Sequence, residues 1–129
     1  MFDWKKPTVQ MLGRWQPWHD GHTALFKKAL AKTGQVAIMV RDVHGSSGGE
    51  GQDDNPFIYE DVWQDIRDGL KAAGYEYSKE YIVMRVPNIV DISYGRGVGY
   101  TFTEHKFGED ITSISATKIR AEMREKGEL

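Results

Sequence analysis

The sequence predicts an α/β fold in which short buried strands alternate with amphipathic helices. The apolar runs QVAIMV and YIVMRV are compact and bounded by turn residues, which is typical of buried parallel strands. The segments before them carry apolar residues at helical spacing. With 129 residues and 40% hydrophobic content, the chain fits one domain over residues 1–129 that can bury a core.

Composition argues against several classes of function. A formal net charge of -2 provides no basic footprint for nucleic acid, so we expect no nucleic-acid partner. The chain has no cysteine, which excludes disulfides and thiolate chemistry and fits a reducing cytoplasm. No apolar run has the length of a signal peptide or a membrane span. We therefore expect a cytoplasmic protein without membrane contact.

The first predicted strand leads into a turn that is rich in polar side chains. Val9, Met11 and Leu12 form the apolar run, and the turn extends from Gly13 to Gly21. The turn and the start of the following helix carry four polar side chains that could meet a ligand, namely Arg14, Gln16, His19 and His22. Because the first amide groups of a helix lack intrahelical partners, such a junction is a natural anion site. The turn therefore suggests phosphate chemistry.

A helix over Gly21–Thr33 follows the turn, since small and apolar residues share one face at helical spacing. Gly34 is a C-terminal stop, and Gln35–Val40 is the second strand. Together these elements complete a strand–helix–strand unit. Such a crossover is right-handed in nearly all cases, so we expect a ligand at the carboxyl ends of its strands.

The middle of the chain continues the alternation after a long loop. Arg41–Asn55 is rich in Gly, Ser and Asp and is predicted to be a loop. A second crossover helix is expected from Pro56 to Gly74. The third strand is Tyr81–Val86, which Pro87 terminates.

The last third of the chain is predicted to complete the sheet. We interpret the segment around Gly99–Glu104 as a fourth strand and Ile111–Ile114 as a brief extended segment. A final helix follows, which Ser115 or Thr117 can cap.

The paired histidines admit three interpretations. They could ligate zinc, but no carboxylate lies at a spacing that would complete such a site, so no metal ligands are predicted. His19 could instead cap the helix while His22 packs in the core. The third interpretation is phosphate binding, which Gly21 favours because it removes a side chain where backbone would approach a phosphate.

Two motifs resemble signatures of the nucleotidyltransferase superfamily. GRWQPWHDGH, from Gly13 to His22, resembles the G-R-F-Q-P-x-H-x-G-H form of the H-x-G-H signature found in archaeal-type nicotinamide-mononucleotide adenylyltransferases. ISATKIR, from Ile114 to Arg120, resembles the C-terminal I-S-x-T-x-I-R signature, and the N-P-F stretch at Asn55 is similar to one in the same branch. The resemblance implies a Rossmann-like three-layer sandwich with a mainly parallel sheet of about five strands and helices on both faces.

The resemblance also implies a reaction. A nucleoside monophosphate, with AMP from ATP favoured, would pass to a small phosphorylated acceptor while pyrophosphate leaves. Mg²⁺ is the implied cofactor, bound through the triphosphate, and a homo-oligomer is an implied assembly. Two alternatives stay open: a cytidylyltransferase using CTP and a phosphorylated alcohol such as glycerol phosphate, and a non-catalytic nucleotide-binding module.

The resemblance assigns residues to this site. His19, His22 and Arg14 would be catalytic, with His22 stabilising the pentavalent α-phosphate. The nucleotide-binding set comprises residues of both motifs: Gly13, Arg14, Trp15, Gln16, His19, Gly21, His22, Ser115, Thr117 and Arg120. Candidate acceptor or secondary phosphate contacts are Trp18, Arg41, Asn55 and Arg96. Trp15 and Trp18 could stack on an aromatic acceptor or pack against the long loop.

Overall fold

The computed structural model describes residues 1–45, 55–97, 99–108 and 115–128. In chain order its elements are β1 (Val9–Gly13), α1 (Asp20–Thr33), β2 (Val36–Arg41), α2 (Tyr59–Ala72), β3 (Tyr81–Val86) and α3 (Ala116–Glu125). The predicted α/β class is thereby confirmed. The third strand has the predicted bounds, whereas the second strand is shifted toward Arg41 and the first helix begins at Asp20.

The strands form a parallel sheet in the order β1-β2-β3. The register pairs Val9 with Val36 and Val36 with Tyr81, so the carboxyl ends of all three strands lie at one edge.

The predicted fourth strand over Gly99–Glu104 is wrong, because these residues form no strand in the structure. Tyr100 and Phe102 are 68% and 64% exposed, so no buried face stabilises a strand there. The predicted extended segment Ile111–Ile114 lies outside the described residues. The sheet seen in the described ranges thus has three strands, and five are not shown.

The main core lies between the sheet and helices α1 and α2. Phe26 of α1 and Ile66 of α2 are fully buried in one cluster with Ile38 of β2. Both crossover helices occupy the same face of the sheet, since α1 and α2 bury residues in one cluster. Successive right-handed crossovers along the order β1-β2-β3 would place them in this way. A smaller cluster on the other face joins Phe2 to Ala37 and Ile82. Neither α1 nor α2 therefore contributes to the second helical layer that the resemblance implies.

Different interactions determine where α1 ends and where α2 begins. Gly34 ends α1 as predicted: its φ is 83°, and its amide donates to the Leu30 carbonyl at 2.7 Å. In contrast, α2 begins at Tyr59 rather than near Pro56. The backbone N–H and C=O of Phe57 both bond to the Gln16 side chain at 2.9 Å, which diverts the backbone from a helix.

The side chain of Trp15 folds back over Gly13. Trp15 has a φ of 54°, is 6% exposed, and donates from Nε1 to the Met39 carbonyl at 3.1 Å. A Cβ atom on Gly13 would lie 2.7 Å from Cζ2 of the indole. Because the indole is buried and hydrogen-bonded, it has little freedom to move away.

Gly13→Ala should therefore lower the free energy of unfolding by about 1–3 kcal/mol through overpacking. Urea denaturation followed by tryptophan fluorescence measures the change. Gly95→Ala is the matched control, since a Cβ atom there meets no other heavy atom within 4 Å. Equal stability of the two variants would contradict the tight packing of Trp15 on Gly13.

Candidate nucleotide-binding site

The two histidines hold each other in place through the backbone at the amino end of α1. His19 is the N-cap residue, with an extended backbone at φ -142°. Its Nδ1 accepts a hydrogen bond from the Gly21 amide at 3.0 Å, and its own amide donates to Nδ1 of His22 at 3.1 Å. This is a histidine version of the capping box. The two rings stack with their centroids 3.6 Å apart.

These hydrogen bonds determine where the ring protons lie. A neutral imidazole whose Nδ1 accepts a hydrogen bond carries its proton on Nε2. Within the described ranges, Nε2 of His19 and of His22 is neither hydrogen-bonded nor fully buried. Each ring therefore presents one N–H donor that a ligand can use.

Burial keeps both histidines neutral. It lowers the pKa of His22 to about 3, and the neighbouring His19 adds a smaller effect in the same direction. Burial also lowers the pKa of His19, although the charge of Asp20 acts in the opposite sense. Near pH 7 the pair acts as two neutral hydrogen-bond donors.

Two tryptophans support His22 from the core side. The ring of Trp15 meets His22 edge-on at a centroid distance of 4.7 Å, and Trp18 lies 5.3 Å from it. Trp18 is 7% exposed and donates from Nε1 to the Thr23 hydroxyl at 2.9 Å. Stacking on an acceptor would require these buried rings to be uncovered. Gly69 leaves room for Trp18, because a Cβ atom there would lie 3.0 Å from Cδ1.

Arg14 and Asn55, two predicted site residues far apart in the chain, are in direct contact. Arg14 donates from Nη1 to the Asn55 Oδ1 at 3.0 Å. Asn55 is 2% exposed, so it is placed to orient Arg14 rather than to meet a ligand first. Gln16 is also buried, and its side chain is occupied by the backbone of Phe57.

Arg120 joins the start of α3 to the turn from Gly13 to Gly21, here called the opening turn. Its Nη1 donates to the backbone carbonyl of Gln16 at 2.7 Å, and its Nη2 donates to the Thr117 hydroxyl at 3.2 Å. Ser115 is the N-cap of α3, and its hydroxyl accepts from the Lys118 amide at 3.4 Å. The two predicted helix starts therefore belong to one connected region. Buried Arg120 makes this connection, whereas the sequence predicted only a phosphate-binding role for it.

The two remaining arginines on the predicted list have different surroundings. Arg41 ends β2 and donates from Nη2 to the Asn88 Oδ1 at 2.7 Å. Arg96 is exposed and lines a cavity of about 1370 Å³ along β1 and α1. No hydrogen bond among the described residues joins Arg96 to the opening turn.

Asn88 was not singled out by the sequence analysis, although its position just after β3 places it at the carboxyl edge of the sheet.

The described part of the chain has neither a cluster of metal-ligating side chains nor a membrane-spanning helix. It contains no group of three or more His, Cys, Asp or Glu side chains that could hold a metal ion. None of its helices is long and apolar enough to cross a membrane.

Comparison with known proteins supports the family resemblance. No protein-family model matches the chain. It is 35% identical over 71 residues to the nicotinamide-nucleotide adenylyltransferase of Saccharolobus solfataricus, an alignment that covers 55% of this chain and 39% of the relative. It is 34% identical over 79 residues to the enzyme of the same name from Caldivirga maquilingensis, covering 60% and 41%. The chain thus spans about two fifths of the length of these relatives.

These similarities confirm the resemblance to the nucleotidyltransferase superfamily. Within the superfamily, the branch that this chain resembles is that of the archaeal-type nicotinamide-mononucleotide adenylyltransferases.

The lowered pKa of His22 makes folding pH-dependent. In the unfolded chain His22 takes up a proton near its ordinary pKa of 6.5, whereas the folded chain resists protonation down to about pH 3. The stabilisation is therefore present above pH 6.5 and is lost as the pH falls toward 3. We expect His22 alone to lower the free energy of unfolding by about 2 kcal/mol between pH 7.5 and 5.0.

Urea denaturation of the wild type and of His22→Asn at both pH values measures this effect. The asparagine amide oxygen can still accept from the His19 amide but does not titrate. The variant should show a smaller loss of stability on acidification. The same loss in both proteins would contradict a neutral, buried His22.

Proposed function

We propose that the chain is an adenylyltransferase that transfers AMP from ATP to a small phosphorylated acceptor and releases pyrophosphate. The observation that carries the proposal is the histidine pair: His19 and His22 are neutral and each presents an Nε2–H donor at the amino end of α1. The names of the two relatives favour ATP over CTP as the nucleotide.

In this reaction a phosphate oxygen of the acceptor attacks the α-phosphorus in line. A new O–P bond forms while the bond to the bridging oxygen breaks, and that oxygen leaves with the pyrophosphate. Little proton transfer is required, so catalysis depends on alignment and on stabilising charge. Donors from His19 and His22 would stabilise the charge that grows on the pentavalent α-phosphate. Because the backbone already orients the rings, little reorganisation is needed.

The second half of the proposed site is the start of α3. The amide groups and hydroxyls near Ser115 and Thr117 would bind the β- and γ-phosphates, as anions commonly bind at helix amino ends. Arg120 would maintain the spacing between this helix start and the opening turn through its bond to Gln16. Arg14, oriented by Asn55, would add a cationic contact.

Mg²⁺ would enter as part of the substrate. The two histidines commit Nδ1 to backbone amides, and hard Mg²⁺ prefers oxygen ligands. We therefore propose that triphosphate oxygens and water hold the ion, where it would neutralise charge on the departing pyrophosphate.

The experiment is a pyrophosphate-release assay with ATP or CTP and a panel of phosphorylated acceptors that includes nicotinamide mononucleotide and glycerol phosphate. His22→Asn should lower kcat by about 10²–10³-fold, because it removes one donor to the transition state. Lys118→Ala is the control, since Lys118 is exposed, and it should remain within about twofold of the wild type.

Thermal unfolding checks that both variants are folded at the assay temperature. Turnover by His22→Asn at the wild-type rate would contradict the role of the histidine. Nucleotide binding without pyrophosphate release from any pair would instead support a non-catalytic binding module.

A further inference from the structure

We infer that Arg41, held by Asn88, forms a recognition site for the phosphate of the acceptor, an inference that rests on the proposed function. Arg41 is the last residue of β2, and Asn88 follows the end of β3. Their hydrogen bond of 2.7 Å lies at the carboxyl edge of the sheet, where ligands of open parallel sheets bind.

In the described part of the chain Arg41 has no acidic partner, whereas Arg85 on the adjacent strand has one. Arg85 on β3 forms an ion pair with Asp42 at 2.6 Å. Among the described residues, Arg41 forms a hydrogen bond only with the neutral amide of Asn88. The two arginines stand on adjacent strands, since Val40 pairs with Arg85 and Arg41 with Val86. Arg85 is therefore neutralised, whereas Arg41 has no counter-charge within the described ranges.

Arg41 is also more buried than Arg85, which makes its lack of a counter-charge among the described residues more costly. Arg41 is half-buried, and its Nε atom is the one buried side-chain nitrogen or oxygen that finds no hydrogen-bond partner among the described residues. Arg85 is exposed. Withdrawing a guanidinium from water without a counter-charge is costly, so a half-buried unpaired arginine points to a bound anion that supplies the charge.

A cavity beside Arg41 provides space for such a ligand. It has a volume of about 450 Å³ and is lined by Leu12, Arg41 and the stretch Ile89–Ile92. Leu12 directly precedes Gly13, so this cavity adjoins the opening turn that carries the histidines. Its walls are mostly apolar. The lining thus suits a small molecule whose phosphate meets Arg41 and whose body packs on aliphatic side chains.

Asp91 limits the class of acceptor further. This exposed residue lines the same cavity, and its carboxylate accepts a hydrogen bond from the Ser93 hydroxyl. A carboxylate accepts further hydrogen bonds from hydroxyl groups. It repels any anionic group that the acceptor carries besides the phosphate held by Arg41. The favoured acceptor is therefore a phosphomonoester that also carries free hydroxyl groups, as a sugar phosphate does.

The first arm of the test measures binding without turnover. Inorganic phosphate is titrated into the ¹⁵N-labelled protein, and shifts of the Asp91 and Gly21 amides report on the two predicted anion sites separately. Arg41→Gln should weaken binding seen at Asp91 by about tenfold or more, the loss expected for a hydrogen bond to a charged group. Binding seen at Gly21 should change little. Arg85→Gln is the matched control and should keep the Asp91 response.

The second arm uses the acceptors that are active in the pyrophosphate assay. Arg41→Gln should raise KM for the acceptor by about tenfold or more while KM for ATP stays within about twofold. An unchanged acceptor KM, or no phosphate-dependent shift at Asp91 in the wild type, would overturn the inference. So would an equal loss of the Asp91 response in Arg85→Gln.

The proposed function fails by a different result. If no acceptor releases pyrophosphate while Arg41→Gln still weakens phosphate binding at Asp91, the anion site stands and adenylyl transfer does not. If turnover is normal and unaffected by Arg41→Gln, adenylyl transfer stands and the assignment of Arg41 to the acceptor is overturned.

Discussion

The hydrogen bonds of Gln16 connect the parts of this protein that the chain itself keeps far apart. The side-chain amide of this buried residue bonds to both the backbone N–H and the backbone C=O of Phe57, and its own backbone carbonyl accepts a hydrogen bond from buried Arg120. The opening turn, the approach to α2 and the last helix therefore meet at one residue. Because unsatisfied polar groups are costly in the interior, loosening any one of these bonds would disturb the others.

The histidine pair depends on the same burial. Trp15 and Trp18 exclude water from one side of His22, and backbone amides occupy Nδ1 of both rings. Desolvation then favours the neutral form, and the hydrogen bonds leave the proton on Nε2. An arrangement that looks like a helix cap thus also prepares two donors in fixed positions. Capping uses Nδ1 of each ring, whereas ligand binding would use Nε2, so the two interpretations of His19 are compatible.

The sequence predicted correctly those elements whose bounds are determined by neighbouring residues in the chain. The strand Tyr81–Val86 and the end of α1 at Gly34 follow from an apolar run before a proline and from a glycine in the left-handed conformation. The expected strand over Gly99–Glu104 failed because aromatic and β-branched residues favour a strand only where a neighbour covers them. The start of α2 was misplaced because a distant side chain, that of Gln16, occupies the backbone of Phe57.

The sequence by itself determined which chemical groups surround the strand–turn–helix junction, since neighbours in the chain place His19 and His22 at a helix start. Only the tertiary structure decided what each group does there. It buried the tryptophans beneath His22, turned Arg120 toward Gln16, and paired Arg85 but not Arg41 with a carboxylate of the described residues. The physical reason is distance along the chain: Arg120 and Gln16 are 104 residues apart, and no local pattern encodes their contact.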